Sequence, residues 1–112
     1  MKNFIWLALA ALPNITFGMS TNGYFEIDKI YTWADYTNGT FMIVLTNPDT
    51  ASKELCPSGY WLEGGNDKNS SVLSTVLSAY HSKSKVRVYA NENSDWSGLS
   101  SKECEIKLII LE

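Results

Sequence analysis

Only one stretch of this chain places apolar residues at the spacing of a helix. Val72, Leu73, Val76, Leu77 and Tyr80 recur at intervals of three and four, with Ser74, Thr75, Ser78 and His81 on the polar side. Ser70 or Ser71 can cap its start, and it ends near Ser82, at the SKSK run. Such a stripe has to be buried against something, and the segments on either side of it read as strands.

Tyr24 to Trp33 is rich in aromatic and β-branched residues. Ile27 and Ile30 are three apart, so a bulge near Asp28–Lys29 is needed to turn both to the core. Thr40 to Thr46 sets Phe41, Ile43 and Leu45 on one face and Met42 and Val44 on the other. Both faces are apolar, so both are expected to be covered. A short third strand, Tyr60 to Glu63, is entered irregularly through Pro57 and Gly59 and puts Tyr60 and Trp61 on opposite faces. Lys85 to Ala90 alternates, with Val86, Val88 and Ala90 inward and Arg87 and Tyr89 outward. In Cys104 to Leu111, Ile106, Leu108 and Ile110 share one face and Ile109 and Leu111 the other. Turn chemistry fills the gaps: Ala34 to Gly39, a polar connection opening at Asn47-Pro48-Asp49, a loop from Gly64 to Asn69, and a long polar loop from Asn91 to Lys102. That last loop holds Trp96 and leaves room for a short extra strand around it.

Three strands, one helix and two strands make a mainly β chain. The order is compatible with an α+β sandwich. The long bent first strand and the helix between strands three and four match the OB-fold, a five-stranded Greek-key barrel whose helix plugs one open end.

Residues 1–18 read differently. Lys2, the apolar run Phe4 to Leu12, then Pro13, Asn14, Thr16 and Gly18 have the three-part layout of a secretory signal peptide. The run is too short to span a bilayer. Cleavage after Gly18 leaves residues 19–112 as one domain, secreted or periplasmic. Both cysteines, Cys56 and Cys104, fall in that part, and an exported chain with two cysteines is expected to pair them. Two free thiols, or one pairing with a partner, are the alternatives. The bond would be worth about 4 kcal/mol in loop entropy. Two cysteines and one distant histidine lack ligand spacing, so no metal and no cofactor is expected.

In 112 residues, 45% hydrophobic and 19% charged, there is material for one domain and no repeat array. A formal charge of −3 gives no electrostatic grip on nucleic acid. His81, the only histidine, sits at a polar helix end without a partner motif, and the aspartates fall in turns, so no enzyme is expected. The aromatic residues are the stronger lead. Trp33 and Tyr36 flank the first turn, Trp61 and Tyr89 occupy outer strand faces, and Trp96 lies in a loop. OB-folds bind ligands in that neighbourhood, so Trp33, Trp61, Tyr89 and Trp96 are the candidate ligand-binding residues. The alternative is that these rings are simply core. Met42 and Val44, with Ile109 and Leu111, leave apolar outer faces that predict a homo-oligomer.

The run Ser71 to Ala90, SVLSTVLSAYHSKSKVRVYA, is a helix feeding directly into a V-R-V strand. With Gly39, Phe41, Ile43 and Leu45, the segment Cys56, Pro57, Gly59, Trp61 and Leu62, and Cys104 leading into Ile106–Ile110, it resembles the B subunits of subtilase-cytotoxin-like and typhoid-toxin-like AB5 toxins. It looks closer still to small secreted gammaproteobacterial proteins related to them. The resemblance implies an OB-fold, secretion, a toxin A chain as partner and a pentameric ring that binds sialylated glycans. The toxin subunits carry a Tyr-Tyr-Ser sugar-binding stretch in an N-terminal extension. Only Ser20-Thr21-Asn22-Gly23 precedes the first strand here, so those sugar contacts are not carried over. The expected function is a secreted glycan-recognising module. A periplasmic structural or enzyme-inhibitor protein, a disulfide-stapled barrel, is the alternative.

Overall fold

The computed structural model describes residues 19–20, 23–35 and 39–112. The signal peptide expected at 1–18, and Tyr36 in the first turn, lie outside the described residues. The chain is mainly β. Its elements run β1 (Met19–Ser20), β2 (Phe25–Trp33), β3 (Thr40–Leu45), α1 (Thr50–Leu55), β4 (Tyr60–Glu63), two single 3-10 turns (Gly64–Asn66 and Lys68–Ser70), α2 (Ser71–Ser82), β5 (Lys85–Asn91) and β6 (Cys104–Leu111).

β2 pairs antiparallel with β3, and β3 with β4. β6 then runs parallel to β4 through Tyr60↔Cys104 and Trp61↔Glu105, and antiparallel to β5 over most of its length. β5 returns to the start of β2 through Phe25↔Val86 and Glu26↔Lys85. The pairings therefore form a closed circuit, with β1 extending β5's other edge at Met19↔Ala90. The register of β2 on β3 slips between Ile27 and Lys29, the bulge that the spacing of Ile27 and Ile30 requires, and both isoleucines reach the core.

Inside the circuit Phe41, Ile43 and Leu45 of β3 meet Tyr60 and Leu62 of β4, Val86, Val88 and Ala90 of β5, and Ile106 of β6. α2 packs against β2 and β6. Its buried edge differs from the expected stripe. Val76 and Ala79 are fully buried and Val72 and Leu73 half-buried, whereas Leu77 and Tyr80 are exposed. The helix lays Val72, Leu73, Val76 and Ala79 on the strands, and the small Ala79 permits the approach where Leu77 and Tyr80 flank it. Its cap also differs. Ser70 is left-handed and makes no side-chain cap. Asp67 reaches past it and accepts from the backbone N–H groups of Val72 and Leu73 at 2.8 and 2.9 Å.

Two further corrections concern β6 and the connection before β4. Tyr89 pairs with Leu108 but Ala90 pairs with Ile106, so Lys107 is an extra residue and the faces change there. Ile106 and Ile109 both turn to the core, while Leu108 is 45% exposed. Ile106, Leu108 and Ile110 therefore do not share one face. The polar connection at Asn47–Asp49 contains the start of a helix that the sequence reading leaves out. Asp49 caps α1, accepting from Ser52 N–H at 3.1 Å and Ser52 Oγ at 2.8 Å. Cys56, just past α1, is bonded to Cys104 at the first residue of β6, with Cα atoms 5.5 Å apart.

Candidate functional site

The outer face of β2, β3 and β4 is set by register. Tyr31 lies opposite Met42, and Met42 opposite Trp61; Trp33 lies opposite Thr40, and Thr40 opposite Glu63. Because strand side chains alternate, these six residues share the face turned away from the core. The segment 92–103 crosses over it without forming a strand and drops Trp96 onto the face.

The result is a row of four rings. Tyr31 stacks on Trp33 with centroids 6.0 Å apart, Trp33 meets Trp96 edge-on at 4.6 Å, and Trp96 stacks on Trp61 at 6.2 Å. Exposure is graded along the row. Trp61 and Trp96 keep only 9% and 8% of their surface, Trp33 is half-buried, and Tyr31 is 40% exposed. The buried end forms a second apolar cluster with Met42, Val44 and Leu99. Met42 is 5% exposed, so its own chain covers it and it offers nothing to an intersubunit face.

The crossing segment is held in place from below. The Trp61 indole N–H donates to the Ser94 carbonyl at 2.8 Å. The Asp95 carboxylate accepts from the Glu103 backbone N–H at 2.9 Å. Gly98 lies flat on Trp96, where an added Cβ would come within 2.3 Å of a ring carbon. Glu103 is fully buried: Ser101 Oγ donates to its Oε2, and Oε1 has no hydrogen-bond partner. Burial raises the Glu103 carboxyl above its usual range, and the neighbouring Asp95 carboxyl pushes the same way. In the core below, desolvation raises the Tyr60 phenol.

Beside the buried rings opens a groove of about 500 Å³, lined by Trp61, Trp96, Thr40, Glu63, Ser94 and Asp95 among others. The structure thus brings together three of the four residues singled out from sequence, Trp33, Trp61 and Trp96. Tyr89 is placed elsewhere. It sits on β5 opposite Leu108 and Ser20, with the Arg87 guanidinium 5.5 Å from its ring centre. β5 meets β2 only at Phe25 and Glu26, the far end of that strand from Trp33. Tyr31, Glu63 and Asp95 were missed. Tyr31 was findable, since it is two residues before Trp33 on one strand and so on the same face.

His81 is exposed in the last turn of α2, next to Tyr80. Among the described residues no group of three or more His, Cys, Asp or Glu could hold a metal ion, and no helix is long and apolar enough to cross a membrane. Comparison with known proteins places the chain in no family: no family model, no curated protein and no solved structure gives a significant match.

Proposed function

We propose that this chain is a secreted carbohydrate-binding module of OB-fold type, with its site on the outer face of β2, β3 and β4. The observation that carries the reading is the ring row, which is anchored in a buried cluster at one end and open to solvent at Tyr31 and Trp33. Flat aromatic faces held rigidly suit the apolar faces of sugar rings, and buried neighbours fix their angle at low entropic cost. The closed strand circuit, with α2 between β4 and β5, supports the barrel. The disulfide is compatible with an exported protein.

The likeness to AB5 toxin B subunits extends the proposal to a ring of copies, serving either as the carrier of an A chain or alone. Leu108, exposed on the outer face of β6, fits a contact between copies, whereas Ile109 and Leu111 pair with core-facing Val88 and Val86 and so lie on the inner face. A single sugar site is weak, near a Kd of about 1 mM, so a ring would add the avidity needed for attachment. The test is a glycan array with residues 19–112, repeated with Tyr31→Ala and Trp33→Ala, which touch the exposed end of the row. Binding that both substitutions weaken at least tenfold (about 1.4 kcal/mol) supports the site. Retention of no saccharide by the unaltered protein overturns the reading in favour of the inhibitor alternative.

A further inference from the structure

We infer that the groove beside Trp61 and Trp96 takes saccharides without acidic groups, and binds free-amino sugars in preference to N-acetylated or sialylated ones. This rests on the carbohydrate-binding reading. It departs from the sialylated ligands that the toxin resemblance implies, because the chemistry of the groove is acidic. Glu63 and Asp95 both line it, with the hydroxyls of Thr40, Ser94 and Ser97, and among the described residues its lining includes no lysine, arginine or histidine. A carboxylated sugar would bring a further negative charge into a space with no cation to receive it.

Among the described residues the cations lie outside the groove's lining: Lys29 is on the same outer face but opposite Val44, and three of the others are engaged by their own neighbours. The Arg87 guanidinium lies over Tyr89, Lys107 pairs with Glu105 at 3.1 Å, and Lys102 Nζ donates to the Leu55 carbonyl. An ammonium group, by contrast, finds acceptors on two sides and ring density beside them. Sugar hydroxyls would meet Ser94 and Ser97 while the amine meets the acids, so both halves of an amino sugar are matched.

The experiment is calorimetric titration of residues 19–112 with three soluble probes: fully deacetylated chitotriose, its N-acetylated form and sialyllactose. Deacetylated chitotriose should bind about fivefold tighter than the N-acetylated form, the size of one partly exposed ion pair, and sialyllactose more weakly than either. Raising salt should narrow the gap. Glu63→Gln should remove most of the amine preference while leaving the near-ultraviolet circular dichroism unchanged. Sialyllactose binding as tightly as deacetylated chitotriose would overturn the acidic-groove inference and keep the carbohydrate reading. Failure of all three saccharides to bind would overturn both. Free lysine competing as well as the amino sugar would assign the groove to protein side chains and overturn the saccharide assignment.

Discussion

Gly98 and Glu103 show how single positions hold the crossing segment. At Gly98 the clash is with an aromatic ring wedged between two others, which has little room to shift. Gly98→Ala should therefore cost about 1–3 kcal/mol, read as a lower urea midpoint with unchanged slope. Glu103 makes stability depend on pH in a defined direction. The unfolded chain releases this proton near 4.5, whereas burial keeps it on the folded chain to higher pH. The folded state then binds more protons in that interval, so this contribution to stability falls as pH rises from 4.5 through the raised value and stays low above it. Urea midpoints from pH 4 to 7 should show that decline in the native sequence and lose it in Glu103→Gln. Neither residue was legible in the sequence. Gly98 reads as an ordinary loop glycine and Glu103 as an ordinary surface acid, because their roles come from a segment folding over a distant sheet face.

Among the elements, legibility followed periodicity. β3, β4 and β5 have clean alternation or sharp turn signals and lie where the pattern put them. The bulge in β2 could be anticipated because two isoleucines at a spacing of three cannot both face inward without it. The bulge in β6 could not, since Ile106 to Leu111 is apolar at nearly every position and any face assignment fits. α1 was missed because six residues with one buried side chain, Ser52, carry no amphipathic signal. Its cap is nonetheless testable. Asp49→Ala removes both bonds to Ser52 and should destabilise the protein by about 1 kcal/mol, measured by chemical denaturation. Asp67→Ala should cost up to about 2 kcal/mol in the same assay, since it frees two N–H groups at the start of α2.

At the scale of the whole molecule, the mainly β class and the disulfide were legible, since strand pattern and cysteine count are local properties. The candidate site was legible by residue type but not by assembly. Trp33, Trp61 and Trp96 come from three parts of the chain, and their meeting depends on register and on the path of residues 92–103. Tyr89 shares their outward orientation but not their location. The double variant Cys56→Ala, Cys104→Ala should lower stability by about 4 kcal/mol, a large part of what a chain this size has in reserve, and a smaller loss would point to residual order in the reduced unfolded chain.

The strand circuit has one joint unlike the others. β4 and β6 run parallel and meet only at Tyr60↔Cys104 and Trp61↔Glu105, and the Cys56–Cys104 bond sits beside that joint like a clasp on a hoop. Trp61, one residue along, belongs at once to the joint and to the ring row. Opening the clasp should therefore be visible optically: on reduction, as β4 loosens, water should reach the Trp61 and Trp96 indoles and shift their fluorescence to the red. The protein would then report the redox state of its surroundings through the same rings proposed to hold its ligand.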